Sequence, residues 1–315
     1  MPPPLPILVL AGSDRQPGHV PGGLDRDDLL TGLKGAARLP SGRCLAGELV
    51  DRLRSCGRFA SPLLFGPRRA YEGHVECEIV DVDGTLAETL ARVREVLRSR
   101  FPLSEPAAAI SCDILPTADE IRRLMEDGYD PHAGCGLWSQ FVEAAPAEMG
   151  ASAWKPSYRF LREAEGPLVD VYPGHLAIFR PAALRMRLLI HLLNLAYRQR
   201  NLSMGQRAWP MLTGGLGRLL LEDARNIVRL RPTALSVQVP FEVLRAYCRY
   251  RRKRLSVPAF ADAVSRLFVA REFRRGRGGP SAVISVTRIL SFGKDIDTRA
   301  ELAEAAEGVE VYHGG

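Results

Sequence analysis

The chain has 315 residues, 46% of them apolar and 25% charged, which excludes a disordered or fibrous protein and allows one large domain or two modest ones. No apolar run reaches the roughly 18 residues of a transmembrane helix. The net charge is +7, but residues 180–288 hold 22 Lys and Arg against 5 Asp and Glu, a surplus of 17 that leaves the rest of the chain at −10. Such a basic segment in a mildly acidic frame suits anionic partners and says nothing about fold.

In chain order, Pro6–Ala11 is a continuous apolar run and reads as a strand buried on both faces, not as a leader peptide. It breaks at Gly12 into a Gly/Pro-rich stretch, Ser13 to Gly23. Leu45–Cys56 has helical spacing and stops at Gly57. Ser61–Phe65 and Glu78–Val82 are short strand candidates, and Thr85–Phe101 is an amphipathic helix. Ala107–Cys112 is a fourth strand, ending in Asp113. Thr117 opens a helix with Glu120 three residues on, a capping box. His175–Phe179 reads as a later strand. Helices follow at 181–199 and at roughly 215–230, 240–254 and 258–270. A basic linker at 274–280 leads to a last strand, Ser281–Leu290, and a last helix, Arg299–Glu307.

This alternation predicts an α/β fold with a mostly parallel, Rossmann-like sheet flanked by helices, and a basic helical insertion before the last strand. The expected division is a nucleotide-binding core at 1–180, the insertion or cap at 181–280, and a strand and helix at 281–315 that complete the core. The six cysteines are scattered, without a CxxC pair, and suit a reducing cytosol.

Four motifs carry candidate chemistry. The first strand ends in Leu10-Ala11-Gly12-Ser13, where a glycine lets the backbone approach a phosphate or base. Lys34 arrives about twenty residues later and can neutralise phosphate charge; the plainer reading is a turn and a surface lysine. Asp113 sits at a strand's carboxyl end, where ligands of open α/β sheets bind, and a carboxylate there suits Mg²⁺ held against a phosphate. Asp295 and Asp297 follow the last strand, just before Thr298, a candidate N-cap of the final helix; the plainer reading is that one of the aspartates caps it instead.

Together these motifs resemble the MobA-like NTP transferase family, nucleotidyltransferases of GT-A-like fold. Leu10–Ser13 resembles the family's LAGG, and Leu33-Lys34-Gly35 through Leu45 its lysine motif. Cys112-Asp113-Ile114-Leu115-Pro116 resembles its D-x-P, with one extra residue. Pro173-Gly174-His175 through Pro181 resembles its GGN strand, with His175 in place of Asn. Asp295-Ile296-Asp297-Thr298 resembles its D-[IV]-D-T-P-E-D ending, with Arg299 and Ala300 in place of Pro and Glu. The first loop has Gly12-Ser13 where the family has two glycines, and Arg15 stands in for the loop arginine.

The resemblance implies a cytoplasmic, Mg²⁺-dependent enzyme. It would move NMP from an NTP to a phosphorylated small-molecule acceptor and release pyrophosphate. Lys34, Asp113 and Asp297 would be catalytic, the two aspartates as metal ligands. Ala11, Gly12, Ser13, Arg15 and Lys34 would bind the nucleotide, and Lys155, Gly174 and His175 the acceptor; the plainer reading of Lys155 is a solvated surface lysine. The altered first loop also fits a catalytically silent nucleotide-binding or scaffold protein on the same fold. The basic segment is either a solvated helical cap or a contact for an anionic membrane surface; no recognition motif or aromatic platform points to specific nucleic-acid binding.

Overall fold

The computed structural model describes residues 3–12, 26–155, 157–198, 204–228, 234–274 and 281–313. The whole Gly/Pro-rich stretch, Ser13 and Arg15 included, and residues 275–280 of the linker lie outside them. The elements are, in order, β1 (Ile7–Leu10), α1 (Leu45–Ser55), β2 (Leu63–Gly66), α2 (Arg68–Tyr71), β3 (Glu78–Asp81), α3 (Leu86–Arg100), β4 (Ala107–Ser111), α4 (Ala118–Gly128), β5 (Leu137–Glu143), β6 (Tyr158–Leu161) and β7 (Leu168–Phe179). Then come α5 (Met186–Arg198), α6 (Met204–Val228), α7 (Leu235–Arg251), α8 (Val257–Phe268), α9 (Arg271–Arg274), β8 (Ala282–Thr287) and α10 (Arg299–His313).

The expected fold class holds. One mixed sheet runs β3-β2-β1-β4-β7-β5-β8, with β6 added to β7. All pairings along it are parallel except those of β7, which is antiparallel to β4, β5 and β6. β1 is buried on both faces, as its unbroken apolar run requires. Ile7 and Val9 pack into the layer that holds α1 and α4, while Leu8 packs with Val93, Val96 and Leu97 of α3 on the other side. The chain runs from β1 outward through β2 and β3, then returns to place β4 on β1's other side. That reversal opens a crevice beyond the carboxyl ends of β1 and β4.

Three helices start with Thr-x-x-Glu capping boxes. Thr85, Thr117 and Thr298 each donate their backbone N–H to the glutamate three residues on, at 2.6, 2.7 and 2.8 Å. Thr298, not Asp295 or Asp297, therefore caps α10, and the plainer reading of those aspartates is corrected.

Between β7 and β8 the chain is helical. α8 is fixed to the sheet by a ring cluster: Phe260 lies 5.7 Å from Phe141 and 5.3 Å from Phe160, centroid to centroid. α6 and α7 share a small core with α5, made of Leu188, Leu219, Leu235 and Val239. Asp223 of α6 accepts from the N–H groups of Leu235 and Ser236, at 2.8 Å each, and so satisfies the first free donors of α7.

Several boundaries differ from the sequence expectation. β7 begins at Leu168, not His175, and runs through Pro173. Its ladder with β5 shifts register between Ser139 and Phe141, the irregularity at which a proline without an N–H is tolerated. α7 begins at Leu235 and keeps Pro240 inside it. β5 and β6 are additions to the expected strands: LWSQFVE carries Ser139 and Gln140 in mid-strand, and Gln140 is fully buried.

Candidate active site

The crevice gathers residues from distant parts of the chain. Asp113 and Asp297, 184 positions apart, lie together, with Asp295 beside them. One carboxylate oxygen of each lies within 4.8 Å of the other two. Backbone bonds fix this meeting. Asp113 C=O accepts from Ile296 N at 2.6 Å, which ties the loop after β4 to the loop before α10. Asp297 C=O accepts from Leu30 N at 2.8 Å, and its N–H donates to Glu301 Oε2 at 2.7 Å. With its backbone held on both sides and the cap supplied by Thr298, the Asp297 side chain is left to the crevice.

Two lysines face the acids. Lys34 starts a short 3₁₀ turn (Lys34–Ala36) and pairs with Asp297 Oδ1. The next residue has no room for a side chain: a methyl at Gly35 would stand 2.8 Å from Cys112 Sγ and 2.9 Å from Tyr71 Oη. The turn therefore lies flat against the residue before Asp113. Burial pushes the Cys112 thiol up, which keeps it neutral beside Asp113.

Lys155 reaches in from the other side. Its ammonium donates to Asp295 Oδ1 at 2.6 Å and to the Asp295 carbonyl, and lies 3.0 Å from Glu301 Oε1 and 3.4 Å from Asp297 Oδ2. The reading of a solvated surface lysine is corrected, since the side chain is 7% exposed. Burial opposes the charge, yet Asp295, Asp297 and Glu301 outweigh it and raise the Lys155 pKa. Glu301 thus serves both as Thr298's partner in the α10 capping box, through Oε2, and as a counter-ion through Oε1, to which Ser152 Oγ also donates at 2.7 Å. The sequence carried a signal for this residue, the Thr-x-x-Glu spacing directly after Asp297.

The remaining expected residues line the same region or leave it. His175 Nε2 is 3.9 Å from Asp295 Oδ1. Gly174 abuts Gln140, whose Cγ would be 2.5 Å from an added methyl. The Ala11 N–H is taken by Phe65 C=O at 2.8 Å, and its carbonyl accepts from Tyr71 Oη at 3.0 Å. Gly12 follows at the crevice edge, next to Thr89. Ser111 Oγ donates to Asp113 Oδ1.

Asp113 also has a support beneath it. Arg52 of α1, 5% exposed, pairs with Glu48 at 2.9 Å and donates to Leu115 C=O at 2.9 Å and Pro116 C=O at 3.3 Å. A buried ion pair thereby pins the loop that carries Asp113.

No protein-family model and no curated protein matches the chain. Solved structures do. A CMP:2-keto-3-deoxy-manno-octonic acid synthetase complexed with CTP is 14% identical, over 70% of this chain and 86% of that one, with a TM-score of 0.38. A mannose-1-phosphate geranyltransferase from Thermus thermophilus is 17% identical over 62% of each chain, with a TM-score of 0.40. A 4-diphosphocytidyl-2C-methyl-D-erythritol synthase is 10% identical, over 67% of this chain and 85% of that one, with a TM-score of 0.35.

Proposed function

We propose that the protein is a MobA-like nucleotidyltransferase, which moves NMP from an NTP to a phosphorylated small-molecule acceptor and releases pyrophosphate. The observation that carries this reading is the meeting of Asp113, Asp295 and Asp297 with Lys34 and Lys155 at the sheet's carboxyl edge. Four carboxylates, Glu301 included, face two ammonium groups, a formal surplus of two negative charges. That surplus and an all-oxygen donor set fit Mg²⁺, which binds through one or two carboxylates together with substrate phosphates. Asp113 and Asp297 would hold it, with Asp295 adjoining. Bound there, it would neutralise charge on the transferring phosphate.

The chain's own groups supply the rest. An acceptor phosphate oxygen forms a bond to the α-phosphorus while the bond to pyrophosphate breaks. No protein nucleophile is needed, and catalysis lies in alignment and charge. Lys34 would exchange its carboxylate partner for the triphosphate. The backbone at Gly12 would meet the nucleotide, and Ser13 and Arg15 belong to the same proposed loop. Lys155, Gly174 and His175 stand on the acceptor side of this reading, where Lys155 also positions Asp295 and Asp297. The setting proposed is the cytoplasm; among the described residues no helix is long and apolar enough to cross a membrane.

One observation favours a second reading. Lys34 and Lys155 already pair with the acids, an arrangement that also suits a nucleotide-binding scaffold without turnover. Pyrophosphate release from a panel of NTPs, with phosphosugars and phosphoalcohols as acceptors and with Mg²⁺ varied, separates the two. Mg²⁺-dependent release that Asp113→Asn abolishes supports the enzyme. Nucleotide binding without release for any acceptor overturns it in favour of the scaffold.

A further inference from the structure

α6 and α7 turn apolar side chains outward. Of the fourteen large apolar residues exposed among the described residues, ten are on these two helices. They fall on stripes at helical spacing. Leu216, Leu220 and Ile227 lie along α6, and Val237, Phe241 and Leu244 along α7, the last three exposed by 60–70%. The inward sides of the helices carry Leu219, Leu235 and Val239, which fill the core shared with α5. An apolar face of this kind in a folded chain marks an interaction surface.

The charge around the face selects the occupant. The three acids of α6 and α7 are all turned away from it or paired. Asp223 is buried as the α7 cap, Glu242 is buried against Arg266 at 3.0 Å, and Glu222 is held by Arg218 at 3.1 Å and Arg225 at 3.2 Å. At the end of α7, Arg251, Arg252, Lys253 and Arg254 are consecutive and exposed, with no carboxylate partner among the described residues. The backbone is bent to display them. Lys253 has φ 55°, its N–H donates to Tyr250 C=O, and the Arg254 N–H reaches back to Arg249 C=O, a Schellman turn with lysine at the position glycine usually fills. A second copy seated on this face would set these cations against their own kind.

We propose that the α6–α7 face is a docking surface for an anionic lipid bilayer. The exposed apolar stripes enter the headgroup boundary, and the cations at the end of α7 meet lipid phosphates. This docking does not depend on the chemistry assigned to the crevice.

The test is flotation of the full chain with vesicles of phosphatidylcholine alone and of phosphatidylcholine mixed with phosphatidylglycerol. Recovery should be about tenfold higher on the anionic vesicles in low salt. It should fall as the screening length shortens from about 30 Å at 0.01 M to about 8 Å at 0.15 M. Phe241→Asp combined with Leu244→Asp should abolish flotation with an unchanged circular dichroism spectrum. Arg251→Glu combined with Arg252→Glu should remove the preference for anionic vesicles. Equal recovery on both vesicle types overturns the proposal. So does undiminished flotation of the Phe241/Leu244 variant, or a dimer in sedimentation that this variant converts to monomer.

Discussion

The crevice and the α6–α7 face both concentrate charge, and they dispose of it in opposite ways. In the crevice, acids and lysines from distant parts of the chain pair across a few ångströms, and the backbone loops that carry them are tied together. On the α6–α7 side, the acids are withdrawn and the cations at the end of α7 are left to the exterior. Internal pairing makes a site sensitive to any single removal, because each loss leaves a partner uncompensated in a partly dry setting. Exposed cations can be removed singly at little cost to the fold. The same residue types should therefore respond to substitution on different scales in the two regions.

The largest effect is expected at the acids. Asp113→Asn or Asp297→Asn should abolish pyrophosphate release, a loss beyond the roughly 10–100-fold of changes behind a metal site. A variant that keeps a tenth of the wild-type rate would remove that carboxylate from the reaction. Next comes the support under Asp113. Arg52→Ala takes from buried Glu48 the guanidinium 2.9 Å away, a loss of about 3–5 kcal/mol of stability in urea unfolding. A loss of less than about 1 kcal/mol would mean that water or Arg43 replaces the guanidinium.

The third effect is read against pH. Lys155 has a folded pKa above its ordinary value of 10.5, so its ion pairs contribute fully below pH 10.5. That contribution is lost as pH rises through the raised folded value. The melting temperature should therefore fall on the alkaline side of 10.5, and Lys155→Met should lack that part of the fall while being less stable at neutral pH. Parallel alkaline curves for both proteins would place the titration elsewhere.

Much of this was legible in the sequence, for physical reasons that also mark where reading stopped. Ile7–Leu10 lies between two helical layers, so its apolar run shows on both faces. Thr117–Glu120 is a local device that needs only four residues to be recognised. Asp113 and Asp297 stood out because motifs put each at an element's end, although their meeting depends on the Asp113–Ile296 backbone bond, which no local pattern encodes. Lys155 looked like a surface residue because nothing nearby in sequence announces its counter-ions, which lie about 140 residues away. Pro173 and Pro240 hid the starts of β7 and α7, since proline reads as a boundary unless tertiary pairing overrides it.

The smallest effect is the sharpest probe of the exterior region. Lys253 holds a left-handed backbone at φ 55°, which costs a non-glycine residue roughly 1–2 kcal/mol. Glycine adopts it freely but loses more chain entropy on folding. Four arginines, Arg249, Arg251, Arg252 and Arg254, still face the end of α7, so the helix dipole stays complemented without the lysine. Lys253→Gly should therefore raise stability by about 0.5–1 kcal/mol in urea unfolding. It should also lower recovery on anionic vesicles, because one exposed cation is gone. The two readouts moving in opposite directions would mean that the turn accepts backbone strain in order to present charge. A stability loss would mean instead that the lysine side chain makes a contact that offsets the strain, and its place in the turn would then be structural.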